Sequence, residues 1–338
     1  MSKKKEIWVD SVKLFSCVLI VICHFYQSMR NVGIIPENLI FSWFERTAYM
    51  YPAPLFFVCS GYLYQKLSHI NTWKSWANNV IKKFIALGVP YFALTTVSWV
   101  LKHVFSDSII NEPRGLLESF FLFPEAQYWY LYVLFSFFLL IPTVSGKRSA
   151  CALMGIATAL KFVYELFYNP NIYFISGVMQ YSFWFVLGMF ACVFDIPRKI
   201  ADDKRNLYIG FVAAVVFITA SFSVHVADVR FPSLDFLLGF VACCSIFMIA
   251  IHLCRNANDN HLLGQIVPYT LYIYLLHTIF ASGFRGVLLK LGVDSTLLHI
   301  PLGLCVSFGC PILVALLAKK IKFIEFFFVP NKYLKISL

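Results

Sequence analysis

The sequence predicts an all-α, polytopic integral membrane protein with about ten transmembrane helices and both termini in the cytoplasm. Of its 338 residues, 60% are hydrophobic and only 13% are charged, and the mean hydropathy is +0.74. A soluble domain of this size would have too few charges to cover its apolar surface. A series of apolar windows long enough to cross a bilayer and a one-sided distribution of basic residues complete the prediction.

Ten windows of about 20 residues satisfy the length that a bilayer requires, at 8–28, 46–65, 83–102, 127–146, 149–167, 177–195, 206–224, 233–253, 267–287 and 296–318. An even number of spans places both termini on one side. With a cytoplasmic N-terminus, the inner segments hold 19 of the 28 Lys and Arg residues and the outer segments hold seven, which agrees with the positive-inside rule.

This bias also explains the formal net charge of +11 without a nucleic-acid partner. The basic N-terminus, Lys3 to Lys5, precedes a long apolar run without a small-residue cleavage site, so a retained first span is expected rather than a signal peptide. We interpret residues 1–338 as a single transmembrane domain in the lipid bilayer, with a core at about 8–330.

The first predicted span carries two ionisable side chains on one face. Lys13 and His24 are eleven residues apart, which at about 100° per residue amounts to three turns plus about 20°, with a rise of about 16 Å. Asp10 stands on the same stripe and can pair with Lys13. Because ionisable residues inside membrane helices usually face the bundle interior or a wet cavity, we interpret this helix as the inside wall of an active site.

Each of these two side chains has a functional and a structural interpretation. His24 is either a general base, since imidazole exchanges protons near neutral pH, or one partner in a helix-to-helix hydrogen bond. Lys13 either snorkels to the inner headgroups or holds an anionic group such as a phosphate. In the second case Lys82 and Lys83, before the third span, and Lys66, after the second, are close enough to join it.

Later spans add further candidates. Residues 127–132, QYWYLY, form either an aromatic belt at the membrane interface or a platform for a sugar ring, with Trp129 as the candidate substrate contact. Lys161 and Glu165, four residues apart, form a structural ion pair or line a polar cavity that binds substrate. His277, in the middle of the ninth span, is a candidate partner of His24 and a candidate substrate contact.

Other features carry less functional information. No metal is expected, since no carboxylate or further histidine stands at ligand spacing from His24 or His277. The ten cysteines lie in or beside apolar runs without a C-x-x-C pair, which predicts neither a zinc site nor a disulfide framework. The longest outer connection, at about 103–126, is either a cover for a substrate groove or a plain surface loop; it contains the carboxylates Asp107, Glu112, Glu118 and Glu125.

Lys13-x10-His24 resembles the R-x10-H signature of membrane-bound acyltransferase family 3, whose members O-acylate cell-surface carbohydrates. Four other stretches are similar to the family in order and spacing, and the resemblance covers about residues 8–330: FFVCSGYL (56–63), KKFIALGVPYF (82–92), WYLYVLF (129–135) and LYIYLLH (271–277). The chain has lysine where the family usually has arginine. Lysine keeps the charge but lacks the planar fork that contacts phosphate in a bidentate manner.

The resemblance implies an acyl-CoA donor, usually acetyl-CoA, on the cytoplasmic side and a glycan or lipid-linked sugar acceptor near the opposite face of a bacterial plasma membrane. The rise from Lys13 to His24 is comparable to an extended pantetheine arm. Lys13, Lys82 and Lys83 would then hold the donor phosphates, and His24 would deprotonate the acceptor hydroxyl while Asp10 organises Lys13. Ser60, Tyr62 and His277 are candidate donors to the developing oxyanion.

Two other functions are weighed against this O-acetyltransferase. A transporter or flippase for a polysaccharide or a small anion would use Lys13, His24, Lys161 and Glu165 to line its route. The absence of paired interrupted helices in the sequence disfavours it. A protein of the same fold that acylates or senses a peptide or amino acid would share the donor and differ in the acceptor.

Overall fold

The structure is a computed structural model that describes residues 6–68, 70–105, 114–167, 170–255 and 261–334. The side chains of residues 126, 261 and 262 are not among those described. Several residues singled out from the sequence lie outside these ranges: Lys3, Lys4, Lys5, Asp107, Glu112 and Lys335.

Within these ranges the protein is helical and contains no strand. The helices of the first half are α1 (Ile7–Asn31), α2 (Leu39–Met50), α3 (Pro52–Leu67), α4 (Trp73–Val104), α5 (Leu116–Phe121), α6 (Trp129–Leu140) and α7 (Lys147–Leu166). Those of the second half are α8 (Tyr173–Val193), α9 (Ile196–Asp202), α10 (Arg205–Val226), α11 (Pro232–Leu253), α12 (His261–Ile266), α13 (Thr270–Lys290), α14 (Thr296–Ala318) and α15 (Lys322–Phe326). The predicted all-α polytopic fold is confirmed.

Among the described residues, eight helices are long and apolar enough to cross a membrane, and each coincides with a predicted span. The other two predicted windows, 46–65 and 127–146, contain the shorter helices α3, of 16 residues, and α6, of 12 residues. The predicted bounds of these two spans are therefore wrong. The count of ten spans and the cytoplasmic termini stay predictions.

Two prolines explain the shorter helices. The ring of a proline disfavours helical backbone at the preceding residue. Tyr51, before Pro52, accordingly leaves the helical region and separates α2 from α3. Ile141, before Pro142, is extended and ends α6. The break at Tyr51 interrupts the second predicted window, which the sequence analysis treated as one continuous span.

α1 runs through the bundle beside α13, and the two helices point in the same direction. The Cys17 thiol contacts the Thr270 carbonyl near one end, and the Arg285 guanidinium donates to the Ser28 carbonyl at 3.3 Å near the other. We name the end of the bundle at the N-terminus of α1 the inner end and the opposite end the outer end. The assignment of the inner end to the cytoplasm remains a prediction from the charge bias.

α3 packs most extensively on α8, because glycines let the two backbones meet. A Cβ added to Gly61 would lie 1.9 Å from the Phe185 carbonyl oxygen, and one added to Gly188 would lie 2.0 Å from the Val58 carbonyl oxygen. Small residues commonly allow membrane helices to approach in this way, and here they fix the depth of α3, whose other faces contact α1 and α6.

Candidate active site

The centre of the candidate site is a pair of histidines on adjacent helices. His24 of α1 and His277 of α13 face each other, with the Nδ1 atom of His24 at 3.0 Å from the Nε2 atom of His277. Their ring centroids are 5.3 Å apart and the ring planes are within 14° of parallel. His277 is fully buried, whereas the ring of His24 keeps some accessible surface. The sequence-based pairing of these two residues is confirmed.

Backbone contacts of His277 determine the tautomers of both rings. The Nδ1 atom of His277 lies 3.0 Å from the Ile273 carbonyl and 2.9 Å from the Tyr274 carbonyl. Carbonyls only accept hydrogen bonds, so this nitrogen carries the proton and the Nε2 atom of a neutral His277 is an acceptor. His24 therefore donates from Nδ1, and its lone pair is on Nε2. The pair thus presents one basic nitrogen, Nε2 of His24, on the partly accessible ring.

A third polar side chain holds α13 in this position. Gln127, just before α6, donates to the Leu275 carbonyl at 2.8 Å and accepts from the Thr278 hydroxyl at 2.9 Å. The Tyr274 hydroxyl donates to the Gln127 carbonyl at 2.6 Å, and the Tyr128 hydroxyl donates to the Leu275 carbonyl at 3.1 Å. These bonds reach from Tyr274, three residues before His277, to Thr278, the residue after it, and fix the height and rotation of His277.

The sequence analysis missed this role of Gln127 and favoured an aromatic belt for residues 127–132. That interpretation is wrong for Gln127, Tyr128 and Tyr130, which are 1%, 0% and 9% exposed. The signal in the sequence was the polar amide itself, since a glutamine among membrane-embedded aromatic residues needs a protein partner. Trp129 is half-buried and stacks on Tyr181 of α8, with ring centroids 4.9 Å apart.

Of the predicted inner-end residues, Asp10, Lys13 and Lys83 converge, whereas Lys82 and Lys66, which pairs with Glu6, do not join them. Lys13 lies within electrostatic range of Lys83 of α4 and, together with Asp10, of the Cys59 thiol of α3. The Lys83 ammonium lies 4.5 Å from the centroid of the Phe138 ring. Lys82, the preceding residue of α4, is rotated by about 100° around the helix from Lys83 and is exposed. The inner mouth beside α1 thus contains two ammonium groups, of Lys13 and Lys83.

The remaining candidates of α3 face other neighbours. The Ser60 hydroxyl is buried and hydrogen-bonds the Tyr130 hydroxyl at 3.0 Å. Tyr62 packs against Trp8 at a centroid distance of 5.0 Å and approaches Lys66, which pairs with Glu6. Both ring nitrogens of His277 are engaged, which leaves no N–H for an oxyanion. The structure does not bring these three candidates together at one point.

A cavity of about 790 Å³ opens at the outer end, between α1, α2, α3, α7, α8, α10 and α11. The predicted pair Lys161 and Glu165 lies in its wall as an ion pair, with side chains only 6% and 7% exposed. The pair is thus both self-neutralising and part of a cavity wall, whereas its contact with a substrate stays a prediction. Aromatic wall residues are Tyr49, Tyr164, Tyr181, Trp184 and Phe236.

Gln27 connects this cavity to the histidine pair. It lies on α1 three residues beyond His24, which is a rise of about 4.5 Å. Its amide donates to Glu45 at 3.0 Å and its carbonyl accepts from the Tyr49 hydroxyl at 3.0 Å. Because Glu45 and Tyr49 line the cavity, its wall begins about one helical turn from the basic nitrogen of His24.

A family model described as an acyltransferase domain matches residues 6–316. The chain belongs to acyltransferase family 3. The match includes both histidines, the lysines of the inner mouth and the outer cavity. Searches among curated proteins and among solved structures gave no match.

Residues that resemble the family motifs therefore lie along α1 in this acyltransferase. Lys13 and His24 stand on one unbroken helix. Lys83 faces Lys13, and the LYIYLLH stretch places His277 beside His24. The sequence analysis did not single out Glu45 and Arg46, which line the cavity from α2. Two adjacent charges in the middle of the apolar segment 39–50 were the available signal.

Proposed function

We propose that this membrane acyltransferase transfers an acetyl group from acetyl-CoA at the inner end to a hydroxyl of a glycan, or of its lipid-linked precursor, at the outer end. The observation that carries the proposal is the fixed tautomer of the histidine pair, which leaves the lone pair of His24 on Nε2. Acyl transfer to a hydroxyl needs such a base, because an unionised alcohol attacks a thioester slowly.

The proposed reaction begins with proton transfer to Nε2 of His24. The acceptor oxygen attacks the thioester carbonyl and forms the new C–O bond while its proton passes to Nε2 of His24. The positive charge on His24 is then shared across the hydrogen bond to Nε2 of His277. When the tetrahedral intermediate collapses, the C–S bond breaks and the CoA sulfur takes the proton from His24, so both histidines return to their starting state.

The length of α1 supports the proposed arrangement of the donor. The nucleotide end of acetyl-CoA carries phosphates, which suit the ammonium groups of Lys13 and Lys83. Lys13 and His24 are separated by a rise of about 16 Å along one helix, so a pantetheine arm lying beside α1 delivers the thioester to the histidine pair. Both substrates then meet at His24 from opposite ends of the bundle.

The donor proposal is tested with purified protein in liposomes, radiolabelled acetyl-CoA and a crude glycan fraction. The wild-type protein is expected to move label to glycan material. Lys13→Gln should raise the KM for acetyl-CoA by about tenfold, since one charge-assisted contact to phosphate is lost. Lys82→Gln is the matched control and should leave the KM unchanged, because Lys82 is exposed and rotated by about 100° around the helix from Lys83. Export of glycan without consumption of acetyl-CoA would contradict the proposal in favour of a transporter.

His277 is expected to act as a positioning residue through the tautomer of His24. His277→Phe should lower kcat by about a hundredfold, within the range of general-base effects, with little change in either KM. His277→Gln should recover part of kcat, because its side-chain carbonyl can accept from Nδ1 of His24. Steady-state kinetics of the two variants check this. Equal activity of the Phe and Gln variants would show that His277 serves only to pack the helices.

A further inference from the structure

The outer cavity is not explained by the histidine pair alone. It lies beyond Gln27 and is lined by several helices, α1 and α3 among them, and its volume is in the range of small-molecule binding sites. It also contains a buried ion pair, Lys161 and Glu165, at the outer end of α7. Ionisable groups at membrane depth are costly to maintain, and they commonly mark a substrate site.

The charges in the wall are arranged as neighbouring opposite pairs. Arg30 of α1 lies 2.7 Å from Glu45 of α2, and Arg46 of α2 lies 2.7 Å from Asp235 of α11. Lys161 and Glu165 form the third pair. Each carboxylate in the wall therefore already has a cation beside it.

The remaining cation of the wall is paired just outside the cavity. Arg230 contacts Asp228 at 2.8 Å in the connection between α10 and α11. The hydrogen bond from the Arg230 guanidinium holds the pKa of the Asp228 carboxyl below its ordinary value. Asp228 is thus charged at neutral pH and balances Arg230, so the cavity as a whole offers hydrogen-bonding groups without a surplus charge.

Aromatic faces complete the chemistry of the cavity. Trp184 and Phe236 meet at a centroid distance of 5.4 Å, and Tyr181 stacks on Trp129. Flat rings beside paired carboxylates and guanidinium groups suit a ligand with C–H faces and many hydroxyls. Hydroxyls can donate to a carboxylate and accept from its paired cation at the same time. Among the described residues of the wall, an anionic ligand would instead meet three carboxylates, while each guanidinium and ammonium group already has a carboxylate beside it.

We propose that this cavity is the acceptor site and that it selects an uncharged saccharide over one that bears carboxylates. The inference rests on the proposed function for the reaction itself, but the binding preference stands independently of catalysis. The chosen hydroxyl would lie near Gln27, the end of the cavity from which His24 is one turn away. Lys161 and Glu165 act here as binding residues and Trp129 as support for Tyr181.

The preference is tested first by binding, without a donor. Purified protein in detergent is titrated calorimetrically with a neutral galactose oligomer and, separately, with the matching galacturonic acid oligomer. We expect the neutral oligomer to bind at least tenfold more tightly. Binding of the neutral oligomer without acetyl transfer would contradict the proposed function and support this inference. Tighter binding of the acidic oligomer, or binding of neither, would overturn the inference.

Substitution of one wall carboxylate tests the charge argument. Asp235→Asn removes the negative charge beside Arg46 at the rim, where the Asp235 side chain is 35% exposed and folding is expected to survive. The variant should bind the acidic oligomer about tenfold more tightly than the wild type does. Asp203→Asn is the matched control, because it makes the same change in the exposed pair with Arg205 outside the cavity. Equal affinities of the two variants for the acidic oligomer would overturn the assignment of this cavity.

Discussion

Replacement of His24 by alanine is expected to lower acetyl transfer by about 10³-fold while the protein remains folded and abundant. The variant loses the only nitrogen of the histidine pair that has a free lone pair, so the acceptor hydroxyl must lose its proton to water. General-base catalysis contributes 10²–10⁴-fold in enzymes, which gives about this magnitude. The readout is kcat for radiolabelled acetyl transfer in liposomes at saturating acetyl-CoA, with the KM for the donor little changed.

The control for this variant is His252→Ala. His252 is a helical histidine at the inner end of α11 and lies outside the histidine pair. The His252→Ala variant should transfer acetyl groups at the wild-type rate. Normal kcat in the His24 variant would show that His24 is not the base. Acetyl label that stays on wild-type protein when the acceptor is omitted, and is absent from His24→Ala, would instead identify Nε2 as a nucleophile.

Replacement of Gly61 by alanine is expected to lower the Tm of the detergent-purified protein by several degrees, about 2–8 °C for a chain of 338 residues. The added Cβ would lie 1.9 Å from the Phe185 carbonyl oxygen, a backbone atom that cannot rotate away. Overpacking of this kind costs about 1–3 kcal/mol or more, and 1 kcal/mol corresponds to about 2–4 °C in a chain of 150–250 residues. Separation of α3 from α8 relieves the clash, so the abundance of the protein in membranes should fall as well.

Gly155→Ala provides the matched control for the stability measurement. Gly155 is also a helical glycine, in α7, but a Cβ there would meet nothing within 4 Å. Since alanine favours helix over glycine by about 1 kcal/mol, this variant should be as stable as the wild type or slightly more stable. If the two alanine variants melted at the same temperature, α3 and α8 would not be in the close contact described.

The sequence predicted the fold well where hydropathy alone decides the outcome. The eight long helices coincide with apolar windows because a bilayer imposes both length and composition on them. The predicted bounds of the spans were wrong at α3 and α6, because Tyr51 and Ile141 leave the helix before a proline. Those breaks are local steric effects that a 20-residue average does not register.

The site was predictable to the extent that its residues share one helix. Lys13 and His24 could be related by helical spacing, and His277 could be suspected because histidine is unusual in a membrane span. The tautomer of the pair depends on the Ile273 and Tyr274 carbonyls, and the role of Gln127 depends on contacts almost 150 residues away in the chain. Long-range contacts of this kind leave no periodic pattern in the sequence.

The shortness of α6 reduces the thickness of apolar material around the histidine pair. A helix of 12 residues rises about 18 Å, whereas the hydrocarbon core of a bilayer is about 30 Å thick. A 3-10 turn at Ala126–Tyr128 precedes α6; backbone that departs from the α-helix at such depth is tolerated where it is enclosed by protein or lines a water-filled vestibule, and the burial of Gln127 and Tyr128 meets the first condition. Under the proposed function, the acetyl group would then have to cross only part of the bilayer depth beside this short helix.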